Sequence, residues 1–521
     1  METLKKENPM SIAENSILLR FLLGIWQVLA GGWGESAVGR VFARIGRAIC
    51  RWVQGSALCQ FVWREGTLPK SWRESVSCSL FTLILNLPCT LVRWIYRVGK
   101  GVWDGSLVFR ALSAMGGASF FLMGLFLLVM LIAPHQIWNN AYGLLGAVGV
   151  TALFVVGSAS RPKHHLESAI FGPYMLFYLM CIGCALVASL STRLSMRFFS
   201  FHVISFLIVV LVVSSVKRYE QLRLMVALAV AGITVAALYG CYQGYVGVEI
   251  VASQQDMTVN YGMPGRVYSF FDNPNNFAEL LVMLIPLDLG ILMAAKTWRG
   301  KLWSFLALLP CLAAIGLTYS RSGWIGLALA VCVFIALENW RLVPVMLVAG
   351  LCAIPFLPET IYNRILTIGN LKDSSTRYRF AIYDAARDLM SDYWYKGVGL
   401  GSDVMKQAFH AYPAMFDGSF PIHTHNNYLQ MWGETGIWGF LSYLAVLAYT
   451  LKTGVKQFYQ TMDKRVRHML AAALGAFCGI LVIGFAEYTW FYPRNMFIYW
   501  FLVGVIMACV KLSRMPRREE T

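Results

Sequence analysis

From residue 108 onward the chain is built of apolar runs of about twenty residues separated by short polar breaks. That recurrence limits the fold more than any other feature. Coiled as a helix, a run of this length covers the roughly 30 Å of hydrocarbon in a bilayer. Lipid offers no partner to backbone N–H and C=O groups, so a helix that bonds internally is required. We read twelve spans: 108–132, 137–157, 169–190, 198–216, 222–244, 275–295, 303–319, 322–338, 342–357, 427–451, 468–488 and 493–511. Only 14% of residues are charged and 58% are hydrophobic, against roughly 25% charged in soluble domains. The expected fold class is an all-α polytopic membrane protein. It has about twelve transmembrane helices, a large partly helical periplasmic or extracellular loop, and an N-terminal interfacial helical arm.

The formal charge is +17. No nucleic-acid-binding motif accompanies it, so nucleic acid is set aside as a partner. The basic residues instead follow the positive-inside rule. RPKHH at 161–165, KRYEQLR at 217–223, KTWRGK at 296–301, the 452–467 segment and the tail KLSRMPRR fall on one side of a twelve-span chain. That side is assigned to the cytoplasm; the loop at 191–197, with Arg193 and Arg197, is the exception. The first 107 residues differ. Arg40, Arg44, Arg47 and Arg51 recur at helical steps among Val41, Ile45, Ile49 and Trp52, and Arg93 and Arg97 follow LFTLILNLPCTLV. A basic stripe beside an apolar one suits a helix lying among the headgroups of membrane lipids; a partner-binding helix is the other reading. The apolar stretch 16–32 is interrupted by Arg20 and lacks an A-x-A cleavage site, so it is expected to be retained. The expected divisions are a basic arm (1–107), a first transmembrane set (108–357), a large outer loop (358–426), C-terminal transmembrane helices (427–511) and a basic tail (512–521). Cys181 and Cys184 form a C-x-x-C inside an apolar run and read as small hydrophobes.

Two larger loops, 245–274 and 358–426, land on the outer side, where four stretches rich in functional side chains gather. In GRVYSFFDNPNNFAELL (265–281), Asp272-Asn273-Pro274 is a helix-start signal, Asn275 follows, and Arg266 stands just before the span. Taken alone, that arginine reads equally well as a residue snorkelling to headgroups. TYSRSGWIGL (318–327) sets Arg321 between two apolar runs with almost no loop around it. A charge so close to hydrocarbon requires a partner, unless a tight hairpin lets it snorkel. STRYRFAIYDAARDLMSDYWYKGVGLGSD (375–403) spaces Arg379, Tyr383, Ala386, Leu389 and Met390 as one face of an amphipathic helix. The glycines at 397, 399 and 401 lack the strand context of a dinucleotide loop and read as a turn. FPIHTHNNYLQMWGETGIWGF (420–440) opens a span with His423, His425 and Asn426, then Gly436 and Gly439. No Cys or acidic cluster completes a metal set around H-x-H, so no metal and no cofactor is expected. A neutral histidine suits a general base.

Together these stretches resemble the O-antigen ligase and polymerase superfamily of bacterial cell-surface polysaccharide synthesis. The resemblance covers roughly 108–511. It rests on H-N-x9-G at 425–436, S-R-S-G at 320–323, F-x-N-P-N-x-x-A at 271–278, and R-x3-Y-x2-A followed by G-x-G-x-G at 379–401. It implies a metal-independent inverting glycosyltransferase of the inner membrane, working on the extracytoplasmic face. The implied donor is a glycan on undecaprenyl diphosphate. The implied acceptor is a sugar hydroxyl, on lipid A core for a ligase or on another lipid-linked chain for a polymerase. By the same resemblance His425 activates the acceptor, and Arg266 and Arg321 hold the diphosphate. The arm lies outside the usual pattern; recruiting other polysaccharide-assembly proteins is a role proposed for it.

Physical chemistry supports these implied roles. A diphosphate leaving group gains charge as the sugar bond breaks, and guanidinium forks suit its oxygens. Arg379 is the third basic candidate, on the diphosphate or fixing the loop helix. Asn426, Glu434, Asn273 and Asn275 are the supporting set, with Glu434 expected to pack helices or orient the histidine. Asp288 is expected to pair structurally, and Glu487 is a further carboxylate in or near a span. Tyr378, Tyr383, Trp394, Tyr412 and Phe416 either stack on sugars or pack the loop. A transporter of lipid-linked sugars also wants arginines, but predicts inverted repeats that are not evident. A non-catalytic scaffold gives no reason for a histidine beside three arginines.

Overall fold

Long apolar runs that cannot leave backbone groups unbonded in lipid become helices, and every regular element among the described residues is one. The computed structural model describes residues 66–251, 262–368, 374–412 and 420–515, with scattered positions between 36 and 56. It divides into two units, Met1–Gly66 and Thr67–Thr521. In the first, Arg40, Arg44, Arg47 and Arg51 are helical and exposed; the 16–32 stretch lies outside the described residues.

The second unit opens with Thr67–Arg73 (α1), Val76–Leu85 (α2), Leu87–Val98 (α3) and Lys100–Gly105 (α4). Next come Leu107–Gly117 (α5), Ser119–Ile132 (α6), Asn140–Gly157 (α7), Gly172–Val187 (α8), Thr192–Ser215 (α9) and Tyr219–Val246 (α10). Pro274–Ala294 (α11), Trp298–Leu317 (α12), Arg321–Asn339 (α13) and Leu342–Ala353 (α14) continue the bundle. Glu359–Leu366 (α15), Ser374–Tyr393 (α16) and Ser402–Phe409 (α17) precede Asn427–Gln460 (α18), Lys464–Ile483 (α19) and Pro493–Arg514 (α20). Among the described residues nine helices are long and apolar enough to cross a bilayer, or twelve if three bent pairs each cross once. The polytopic membrane fold expected from sequence is the one observed.

Helices α9, α11, α19 and α20 are buried along most of their length and form the centre; α7, α12 and α13 keep most of their surface outward. Small residues set the tightest contacts. Gly475 and Gly479 of α19 lie against the backbone of Ala330 and Gly326 in α13. Close backbone approach of this kind drives helix association where lipid removes the hydrophobic incentive.

Several boundaries differ from the sequence reading. The 108–132 run is broken into α5 and α6 by a 76° bend at Gly117-Ala118, where paired glycines weaken the helix. The 342–357 run turns by 119° into α15 at Pro355 and Pro358, which cannot continue a helix. Helix α9 starts at Thr192, so Arg193 and Arg197 belong to its first turns rather than to a loop, and Arg197 pairs with Asp403 of α17 at 3.1 Å. Helices α2 and α3, read from sequence as interfacial, are together long and apolar enough to cross, with a 55° bend. Helix α18 runs past the expected 451 to Gln460 and breaks at Gly436. Helix α19 ends at Ile483, which leaves Glu487 in a loop.

The two ends of the bundle differ in chemistry. At one, Arg465 meets Glu220 at 2.8 Å, His468 meets Glu338 at 2.9 Å and Lys511 meets Glu167 at 2.7 Å. At the other, the 262–273 loop, the 318–320 turn, α15, α16 and the 484–492 loop converge.

Candidate functional site

Glu487 is the hub of that second end. Its side chain is 8% exposed. Oε1 accepts from Arg379 Nη2 at 2.5 Å and from Asn275 Nδ2 at 2.9 Å. Oε2 lies 3.3 Å from His425 Nδ1. Asn275 Oδ1 accepts from Arg266 Nη2 at 2.5 Å, and Arg266 Nε donates to the Thr318 carbonyl at 2.8 Å. Burial alone would raise the Glu487 carboxyl. Arg379 above all, then His425 and His423, pull it down to about 2, so it is an anion at any ordinary pH.

Four arginines meet there. Arg321 Nη1 donates to the Thr367 carbonyl at 2.9 Å, and buried Arg364 reaches the Tyr319 carbonyl through Nε at 3.3 Å. Burial first, then repulsion from Arg364, brings the Arg266 guanidinium down to about 9, with Arg321 and Arg379 adding to the repulsion and Glu487 opposing it. Arg266 still carries its charge at neutral pH. Three helix N-termini open on the same region. Asn273 caps α11 through the Asn275 N–H, Ser320 caps α13 through the Gly323 N–H, and Asn426 caps α18 through the N–H groups of Tyr428 and Leu429. Their dipoles add partial positive charge to the four guanidinium groups. The arrangement is suited to a polyanion.

His425 is held by its backbone as firmly as by its ring. Its φ is 49°, and among the described residues the other non-glycine positions of positive φ are Ser269 and Tyr319, close in sequence to Arg266 and Arg321. Left-handed backbone is uncommon outside glycine and concentrates at functional sites. The His425 N–H donates to His423 Nδ1 at 3.2 Å, and the Tyr383 hydroxyl reaches the carbonyls of His425 at 3.3 Å and Phe485 at 3.2 Å. Desolvation, then the neighbouring His425, pushes His423 well below the usual histidine range. His423 is therefore neutral and its Nδ1 is an acceptor. The Glu487 anion can only accept, so His425 Nδ1 is the nitrogen that carries a proton toward it, and Nε2 is the ring nitrogen turned away from that pair.

Of the residues singled out from sequence, Arg266, Arg379, Asn275 and His425 share one bonded network with Glu487. Asn273 and Asn426 cap the helices that deliver them. Glu434 stands apart: its carboxylate accepts from Gln430 at 2.7 Å and from the Tyr488 hydroxyl at 3.1 Å. The carboxylate that meets His425 is that of Glu487, not Glu434. Asp288 is buried within α11, and its Oδ2 has no hydrogen-bond partner among the described residues. Sequence reasoning missed Arg364. The only signal was a lone arginine six residues past Pro358, in a run carrying no motif.

The glycines act on placement. Gly436 has φ 67° and breaks α18, freeing carbonyls that the glycine turn takes up. Val398 N–H donates to the Gly433 carbonyl at 2.8 Å and Gly399 N–H to that of Glu434 at 3.1 Å, while Ile437 N–H returns to the Trp394 carbonyl at 2.8 Å. Gly397, Gly399 and Gly401 all have positive φ, as the turn reading requires. The H-N-x9-G and G-x-G-x-G stretches are thus two halves of one joint.

Residues 292–444 match the family model for O-antigen ligase. The matched segment includes Arg321, Arg364, Arg379 and His425, while Arg266, Asn275 and Glu487 join them from outside it. No curated protein matches the chain.

Proposed function

The chain belongs to the O-antigen ligase/polymerase superfamily, and from that premise we propose that it is a membrane glycosyltransferase of the bacterial inner membrane. It moves an oligo- or polysaccharide from undecaprenyl diphosphate to an acceptor sugar hydroxyl on the extracytoplasmic face. The observation that carries this reading is the meeting of four arginines with one histidine whose Nδ1 is held by a buried carboxylate.

In this reading the acceptor oxygen attacks the anomeric carbon of the donor sugar. The bond from that carbon to the diphosphate oxygen breaks, and undecaprenyl diphosphate departs with the electron pair. His425 Nε2 takes the acceptor's proton. Glu487 holds the ring and steadies the imidazolium. Arg266, Arg321, Arg364 and Arg379 meet the charge growing on the leaving group. A single displacement inverts the anomeric centre. The guanidinium groups do the electrostatic work that a divalent cation does in many soluble sugar transferases, so the reaction is proposed to be independent of metal.

The test is transfer by the purified protein in lipid with lipid-linked oligosaccharide as donor. His425→Ala should lose about 10²–10⁴ of the rate while still binding donor. Product at the wild-type rate from that variant removes the histidine from the mechanism. Loss of transfer on adding chelator removes the metal-free proposal.

A further inference from the structure

We infer that the groove between α16 and the start of α18 is the seat of the acceptor glycan, an inference that rests on the transferase reading. The groove has a volume of about 610 Å³, with Tyr383, Trp394, Leu429 and Trp432 among its apolar walls and Asp384 and Arg387 on its rim. Tyr383 joins it to the reaction centre, since the ring lines the groove while the hydroxyl reaches the His425 carbonyl. Helix α16 sets the order. Arg379, Tyr383, Arg387 and Met390 recur at helical steps, and Trp394 stands a turn beyond. The first binds Glu487, the second touches the histidine segment, and the rest line the groove. From Tyr383 to Trp394 the helical rise covers roughly 16 Å, enough for more than one sugar ring leading away from His425.

The lining chemistry suits a sugar better than a lipid tail. Pyranose rings present C–H faces to aromatic rings and hydroxyls to carboxylate and guanidinium groups at the edge. Trp394 is 53% exposed. Trp432 is fixed, its indole N–H donating to the Trp394 carbonyl at 3.0 Å and its ring stacked on Phe440 at 5.7 Å and 10°. A pre-set aromatic plane costs little entropy when it binds. Asp384, Arg387 and Ser391 on the rim are exposed and polar, a rim that a prenyl chain would not use.

The experiment uses the full protein in nanodiscs, with oligosaccharides released by mild acid from the producing cell's own surface glycan as probe. Tryptophan fluorescence reports binding, and transfer kinetics are run alongside. Trp394→Ala should raise the acceptor KM about tenfold or more and weaken the released-glycan quench, leaving donor KM unchanged. Trp394→Phe, which keeps a ring, should recover most of the loss. Asp384→Asn should raise acceptor KM without touching the stack, and serves if the alanine variant does not fold. His425→Ala should bind the released glycans like wild type. An unchanged acceptor KM in Trp394→Ala and Asp384→Asn overturns the groove while leaving the transferase reading intact. Quenching by a polyprenyl phosphate but not by the glycans also overturns it, by making the groove a lipid site. Glycan binding at Trp394 with no transfer from any lipid-linked donor keeps a sugar site but defeats the transferase reading and, with it, the acceptor role.

Discussion

The Nδ1 nitrogen of His425 lies 3.3 Å from Oε2 of Glu487. Fifty-eight per cent of the chain is hydrophobic, yet here an imidazole and a carboxylate meet at the end of a helical bundle. The pairing assigns the ring's tautomer and orientation, because an ionised carboxylate can only accept.

Glu487→Gln should therefore keep donor affinity better than it keeps turnover. An amide can present its N–H to Nδ1 and so favour the wrong tautomer. A fall in kcat of about 10²–10⁴ is expected, read by transfer under saturating donor and acceptor. A loss confined to donor KM would assign Glu487 to Arg379 alone.

Arg364→Lys should not substitute for arginine. A planar fork held by the Tyr319 carbonyl is replaced by a point charge with different reach. The expected result is a drop of roughly 10²–10³ in kcat/KM, measured against the same change at Arg341, which is exposed at an exposed helix turn. Equal activities of the two variants would leave Arg364 with a purely structural role.

Acid sensitivity follows from Glu487. Its folded value near 2 lies below the ordinary 4.5. A depressed carboxyl stabilises the fold fully above its unfolded value and loses that contribution as pH falls through the folded one. The shift corresponds to on the order of 3 kcal/mol. The gap in thermal stability between the wild type and Glu487→Gln should hold above about pH 4.5 and close toward pH 2. A gap that is constant across that window contradicts the assignment.

Gly436→Ala should loosen the glycine turn at 397–401 from the bundle. Its φ of 67° strains any side chain, and an added Cβ would meet the backbone of Tyr395 and Lys396. Strain of about 1–3 kcal/mol is expected, seen as faster proteolysis between 393 and 403 and as lower transfer. Proteolysis at the wild-type rate would mean that the joint tolerates a Cβ.

The membrane helices and most of the candidate residues that the structure brings together were legible because length, hydropathy and capping are local properties. Asn273 before Pro274 and Asn426 before α18 announce their helices in a few letters. Pairing is not local. Glu434 stands nine residues from His425, and Glu487 sixty-two, yet the nearer carboxylate turns to Gln430 and Tyr488. The choice was made by where α19 ends, a boundary that hydropathy placed five residues late. Arg364 was invisible because its value comes from the turn at Pro355 and Pro358, and the angle of a turn is not written in its composition.

Helix α14 has no buried residue. Its partner across the bend, α15, carries Arg364 into the arginine cluster. An apolar rod with no buried face takes its depth in a bilayer from the acyl chains, so whatever raises or lowers it also tugs the side chain proposed to meet the donor's phosphates. Such a coupling predicts that catalysis by this protein responds to how thick the surrounding membrane is, and reconstitution in short- and long-chain lipids would measure the response directly.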